Sequence, residues 1–191
     1  MKKLESICVY CGSSRGRGEV YEATASRLGA EMAQAGIRLV YGGGSVGLMG
    51  VVARSVLDHG GEVTGIIPEF LKDQEKMLER AHELIVTQDM HERKQLMFSR
   101  ADAFIALPGG VGTLEELVEM LTWAQLGRHN KPVLLADVDG FWKPFKTLLD
   151  HMGEEGFIRS GLEVHFDMCA NIEEAVPRLQ AAYAAQQGEA D

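Results

Sequence analysis

Ala103-Phe104-Ile105-Ala106-Leu107-Pro108-Gly109-Gly110-Val111-Gly112-Thr113-Leu114-Glu115-Glu116 joins an apolar run, a proline, three glycines and the start of an apolar-periodic stretch. The run predicts a strand over Ala103–Leu107 that Pro108 stops, and the periodic stretch predicts a helix over Thr113–Leu126. A strand that ends in glycines and opens a helix presents free backbone N–H groups at a positive helix end, a site for anions and above all for phosphate. Thr113 is placed to cap the helix, with Glu116 three residues on at the reciprocal position of a capping box. Glu116 therefore has two readings, a structural cap or a working carboxylate.

Outward from this stretch, strands and helices alternate. Strands are expected at Ser6–Tyr10, Ile37–Tyr41, Val63–Ile67, Leu84–Val86, Pro132–Ala136 and Glu163–Phe166. Helices are expected at Val20–Ala35, at about Val46–His59, at Asp89–Arg100 behind an Asp89/Glu92 capping box, around Trp142–Met152, and from about Ile172 to Ala185, with a polar tail after it. The region from Glu69 to about Glu83 reads as irregular. No repeat or low-complexity linker divides the chain, so residues 1–191 are expected to form one domain. Such alternation implies a doubly wound, Rossmann-like α/β fold: a parallel sheet with helices on both faces. Ligands bind such sheets beyond the carboxyl ends of the strands, where strand order reverses. Three small-residue loops fall there, with Gly12 and Ser13 in the first, Gly43 and Gly44 in the second, and Gly109 in the third. One ligand could touch all three, although glycines also serve tight turns.

Composition narrows the function classes. Nineteen basic against twenty-eight acidic residues give a net charge of −9 with no block of one sign, which argues against non-specific nucleic-acid or membrane binding and leaves room for one local basic pocket. No run approaches the roughly 20 apolar residues of a membrane span. The N-terminus runs straight into a strand without the apolar stretch of a signal peptide. Three cysteines suit a reducing compartment, and a cytoplasmic location is expected. Cys8 and Cys11 form a C-x-x-C, but a redox pair normally opens a helix and this one begins inside a strand. The six histidines lack metal-ligand spacing, so no metal site is expected. Gly42–Gly47 satisfies G-x-G-x-x-G formally, yet it follows the second strand. The acidic residue at the right count, Glu62, precedes the next strand instead of ending it, which argues against a dinucleotide cofactor.

In Met90-His91-Glu92-Arg93-Lys94-Gln95-Leu96-Met97, positions 90, 93, 94 and 97 share one helical face. Two cations thus stand inside an apolar stripe. Either both snorkel to the surface, or they meet a carboxylate or phosphate. Glu116 shares a face with Met120 and Trp123, beside an expected inward stripe of Leu114, Leu117, Val118 and Leu121.

These residues carry a resemblance. Pro108–Glu116 matches P-G-G-x-G-T-x-x-E in full, Met90–Met97 matches M-H-x-R-K-x-x-M, and both occur in the order and separation found in the LOG (LONELY GUY) family. The chain resembles that family over nearly its whole length. The resemblance implies hydrolysis of the N-glycosidic bond of a nucleoside 5′-monophosphate, with Arg93 and Glu116 as the catalytic pair. It implies that Lys94, Gly110, Val111, Gly112, Thr113, Leu114 and Glu115 line the nucleotide site and that Glu75 and Thr122 make further contacts. The neighbours of Glu75 depart from the family pattern. Arginine at position 93 could clamp the phosphate or orient Glu116. No cofactor is needed for this reaction. The resemblance also implies a homodimer, for which Met120-Leu121-Thr122-Trp123-Ala124 offers apolar surface if it is not ordinary core.

Overall fold

A computed structural model describes residues 3–159 and 161–188; Met1-Lys2 and the end of the polar tail lie outside them. Seven parallel strands form one sheet: β1 (Ser6–Tyr10), β2 (Arg38–Tyr41), β3 (Val63–Pro68), β4 (Glu83–Thr87), β5 (Ala103–Ala106), β6 (Val133–Ala136) and β7 (Asp167–Cys169). Their order is β4-β3-β2-β1-β5-β6-β7. The chain winds outward from β1 to β4, then returns to pair β5 against the other side of β1, with Cys8 opposite Phe104 and Tyr10 opposite Ala106. Strand order therefore reverses between β1 and β5, which is the ligand crevice of this architecture.

The helices are α1 (Glu19–Gln34), α2 (Gly47–Asp58), a short α3 (Lys72–Glu75), α4 (Met90–Ser99), α5 (Val111–Gln125), α6 (Lys143–Glu154) and α7 (Ala175–Gly188). Alternate strand residues feed two cores. Leu28, Met32, Val52, Val56 and Leu179 from α1, α2 and α7 pack with Ile7, Val9 and Leu39 on one face. Met97, Leu117, Met120, Leu121 and Trp142 pack with Cys8, Val40 and Phe104 on the other. The doubly wound arrangement holds because both faces of nearly every strand are apolar.

Helix α4 is the return crossover, running from edge strand β4 back to β5. Its first turn consequently lies above the carboxyl ends of β2 and β3, which decides where Arg93 and Lys94 go. Three elements depart from the sequence reading, the first being the short α3 inside the stretch read as irregular. The strand expected at Glu163–Phe166 forms instead at Asp167–Cys169, paired Leu134↔Asp167 and Ala136↔Cys169. Val164, Phe166 and Met168 do alternate onto one core face, but the backbone reaches β6 only at Asp167. Helix α5 begins at Val111, two residues ahead of the expected start, with extended Gly110 as its N-cap.

Candidate active site

The three loops knit together at the switch point. The Gly12 amide donates to the Pro108 carbonyl at 3.1 Å, and the Leu48 amide donates to the Gly12 carbonyl at 3.0 Å. A Cβ on Gly12 would lie 3.3 Å from the Gly109 Cα, and one on Gly109 would lie 2.6 Å from Thr113 Cβ and 2.9 Å from the Gly12 amide. Gly47 has φ +59 and would drive a side chain into the Ser13 carbonyl. These glycines are explained by loop-on-loop packing. Gly110 and Gly112 are different: a Cβ on either meets nothing, so they border open space.

Gly110 caps α5 without any side-chain hydrogen bond. The first intrahelical bond runs from the Leu114 amide to the Gly110 carbonyl at 3.0 Å. The amides ahead of it have no intrahelical acceptor and crown the crevice beside β1, as anion recognition requires. The expected capping box is not made. Thr113 is buried in the first turn, and Glu116 lies in the second turn, beyond reach of a cap role. The box at α4 forms in part: Asp89 Oδ1 accepts from the Glu92 amide at 2.8 Å, while the Glu92 carboxylate accepts from Gln88 one residue further out.

Glu116 is half-buried yet densely surrounded by protein. Burial pushes its carboxyl up from 4.5 to about 7; the Arg93 charge opposes this, and Glu115 and Glu75 add to it. Arg93 is only 4% exposed. Its Nε donates to the Ile66 carbonyl at 3.2 Å and its Nη2 to the Gly42 carbonyl at 3.0 Å. Nη2 also lies 3.6 Å from Glu75 Oε2. Glu75 reaches this position because residues 75–78 pair against Gly43–Ser45, the Ser45 amide donating to the Glu75 carbonyl at 3.0 Å. Burial raises the Glu75 pKa, and Arg93 counters it. Lys94 bridges α4 to α5, its Nζ lying 2.6 Å from Glu115 and 3.1 Å from Glu119. Those hydrogen bonds, led by Glu115, raise its pKa. Neither cation snorkels free; both meet carboxylates.

The fold thus brings together Gly12, Gly43, Gly44, Glu75, Arg93, Lys94, Gly109 to Thr113, Glu115 and Glu116. Thr122 is exposed two to three turns along α5, outside this cluster. Leu114 and Val118 face solvent instead of core; Thr113, Leu117, Met120 and Leu121 form the buried face. Glu119, which accepts from Lys94, and the Gly42 carbonyl, which accepts from Arg93, go beyond the sequence reading. The i+4 spacing from Glu115 to Glu119 signals the first, whereas no side-chain pattern announces a carbonyl.

Other candidates fall away. Cys8 and Cys11 face opposite cores and cannot pair, and burial raises both thiols. Glu62 pairs with Arg38 at the amino edge of the sheet, away from the Gly42–Gly47 loop. Among the described residues no group of His, Cys, Asp or Glu has the geometry of a metal site, and no helix is long and apolar enough to cross a membrane.

A Rossmann-like sheet with an uncapped glycine-loop helix at its switch point, and a half-buried carboxylate beside a fixed arginine, is an arrangement that anion recognition and acid–base chemistry both use. The chain belongs to the LOG family, whose model, described as "Possible lysine decarboxylase", matches residues 49–179. It is 47% identical over 179 residues to the Arabidopsis thaliana protein named cytokinin riboside 5′-monophosphate phosphoribohydrolase LOG5, covering 94% of this chain and 78% of that one. It is 54% identical over 156 residues to the Oryza sativa subsp. japonica protein named cytokinin riboside 5′-monophosphate phosphoribohydrolase LOG, covering 82% of this chain and 64% of that one. Among solved structures, the molybdenum cofactor binding protein of Rippkaea orientalis superposes with TM-score 0.70 at 23% identity over 95% of this chain and 98% of that one, a likeness of fold.

Proposed function

We propose that this protein is a phosphoribohydrolase that cleaves the N-glycosidic bond of cytokinin riboside 5′-monophosphates, and of AMP, to the free base and ribose 5-phosphate. The family's named relatives support the reaction. The observation in this chain that carries it is Glu116, a carboxyl near neutrality at the crevice beside an anion-binding helix end. The 5′-phosphate sits on the amides of Gly110, Val111, Gly112 and Thr113, with Gly12, Ser13, Gly43, Gly44 and Gly109 shaping the loops around it. Leu114, Glu115 and Lys94 line the remainder of the nucleotide path, and Thr122, outside the cluster, takes no part in it. Breaking the C–N bond builds positive charge on the ribose, and ionised Glu116 stabilises that charge or activates the attacking water. Phosphate binding positions the sugar and contributes remote binding energy.

Arg93 acts as a fixed charge. Its Nε and Nη2 donate to two carbonyls and its Nη1 lies against the Met90 sulfur, so no two of its nitrogens are free to fork onto the phosphate or Glu116; it holds Glu116 closer to ionisation than burial alone allows. The chain works as one domain, residues 1–191, in the cytoplasm, where its free buried cysteines stay reduced. It works as a homodimer. Val111, Leu114 and Val118 expose an apolar row along α5, and Phe141, Leu148, Met152 and Phe157 expose more on and beside α6. This outward row, not the run from Met120 to Ala124, is the surface a second copy covers.

The test is product analysis by chromatography after incubation with AMP and with isopentenyladenosine monophosphate. Free base with equimolar ribose 5-phosphate supports the reading, and the ratio of the two rates sets the base preference. Nucleotide bound tightly and recovered intact would make the chain a carrier.

A further inference from the structure

The guanidinium of Arg93 lies in a slot whose walls are mostly backbone. Ile66 and Gly42, at the carboxyl ends of β3 and β2, supply carbonyls 3.2 and 3.0 Å from Nε and Nη2, and the Met90 sulfur lies 3.7 Å from Nη1. A Cβ built on Gly42 falls inside van der Waals contact of Nη2, 3.3 Å from Cζ and 3.2 Å from the Met49 sulfur. Gly42 is not among the glycines with positive φ, so its backbone accepts any L residue. Space, not backbone conformation, distinguishes the glycine: a methyl there would have to displace the end of the Arg93 side chain.

We infer that Gly42 is a positioning residue for the reaction: its missing side chain makes the slot, and its carbonyl holds the Arg93 guanidinium where its charge acts on Glu116. This rests on the function proposed above but concerns a residue that touches no substrate. The slot explains how an arginine in the middle of an apolar stripe is buried without a clamping ligand, since backbone carbonyls accept from its N–H groups and Glu75 balances its charge. An alanine methyl at position 42 would push the guanidinium outward, lengthen the bond to the Gly42 carbonyl and weaken the field at Glu116.

The groups facing Glu116 are Arg93 and Lys94 from α4, Glu75 from α3, Glu115 on its own helix, and the neutral Cys8, Tyr10 and Cys11 from β1. Only the Arg93 contribution is expected to change in Gly42→Ala. Because Arg93 lowers the Glu116 pKa, its displacement should raise it.

The experiment is a cycle of wild type, Gly42→Ala, Arg93→Ala and the double variant. It compares kcat and KM for AMP across pH, thermal unfolding, and the carbon-13 carboxyl titration of Glu116. Gly42→Ala should lose tenfold or more in kcat with a smaller change in KM, and the Glu116 titration should move to higher pH. Adding it to Arg93→Ala should cost no more than about twofold, because the group it acts through is gone. If Gly42→Ala alone fails to fold, Arg93→Ala should rescue it by emptying the slot. Equal losses in both backgrounds, an unmoved titration in a folded variant, or failure of Arg93→Ala to rescue folding would overturn the inference. A wild type that releases no base from AMP would instead reject the function, while the carboxyl titrations would still report on the slot.

Discussion

Replacing Glu116 by glutamine should slow the enzyme and stabilise it, and the second effect has a pH signature. In the folded protein the carboxyl is raised from 4.5 to about 7, with burial the main cause and Arg93 the main opposition. A folded pKa above the unfolded one means that folding favours the neutral acid. The benefit is fully present below about 4.5 and is lost as pH rises through about 7, where folding must carry a buried anion. At about 1.4 kcal/mol per pH unit, that shift corresponds to about 3 kcal/mol, which local relaxation trims to about 2–3 kcal/mol. Glutamine is neutral throughout and nearly isosteric, so it avoids this cost. Glu116→Gln should match wild type in stability near pH 4 and exceed it by about 2–3 kcal/mol near pH 8, a gain of roughly 5–10 °C in Tm. Near pH 8 its kcat on AMP should fall roughly a hundredfold or more, since the ionised carboxylate is what the cationic transition state needs, and the deficit should shrink toward pH 5, where the wild-type carboxyl is protonated as well. Urea unfolding at several pH values, beside kcat for both proteins, decides the matter. A stability difference that stays flat with pH, or turnover near that of wild type, would refute the reasoning.

Three other outcomes follow from the geometry. If the uncapped turn at Gly110–Thr113 anchors the phosphate, kcat/KM for base release should be at least a hundredfold higher with AMP than with adenosine, and equal values would sink the anchor. Light scattering should give twice the monomer mass of 20.9 kDa, and Val118→Glu, which charges the outward row of α5, should return the protein to monomer; an unchanged mass would move the interface elsewhere. At the α1–α2 crossing a Cβ on Gly29 would lie 2.7 Å from both the Val52 carbonyl and Ser55 Cβ. Gly29→Ala should therefore cost about 1–3 kcal/mol in chemical unfolding, with AMP hydrolysis unaffected below the transition.

Much of the architecture was legible because both faces of the sheet are packed, so each strand announces itself as an apolar run between breakers. Ser6–Tyr10 and Val63–Ile67 needed no tertiary information. Edge strand β7 did: Val164, Phe166 and Met168 have the right alternation, but pairing is a matter of backbone distance, which sequence does not carry. The site was legible as residue types and not as contacts. Spacing placed Arg93 and Lys94 in an apolar stripe, but it could not distinguish a solvated pair from one that reaches Glu75, Glu115 and Glu119. Those partners lie 18, 21 and 25 residues away and meet the cations only through the crossover of α4.

Helix α5 shows most clearly how a local misreading alters a functional one. Taking Thr113 as the cap puts Glu116 in the first turn, with a structural job that explains it fully. Starting the helix behind Gly110 leaves the first amides unpaired and moves Glu116 into the second turn, where no capping partner exists and burial makes its charge costly. The same shift bears on the hydrophobic stripe. Leu117, Met120 and Leu121 serve the core, while Val111, Leu114 and Val118 turn outward, so α5 is apolar on two sides. An apolar face is retained at a surface when something covers it. On this helix the covered row would begin at Val111, inside the loop proposed above to receive the phosphate. Assembly and substrate binding would then bear on the same turn, so a substitution that breaks the dimer at Val118 should also raise KM for AMP. A monomer with an unchanged KM would separate the two.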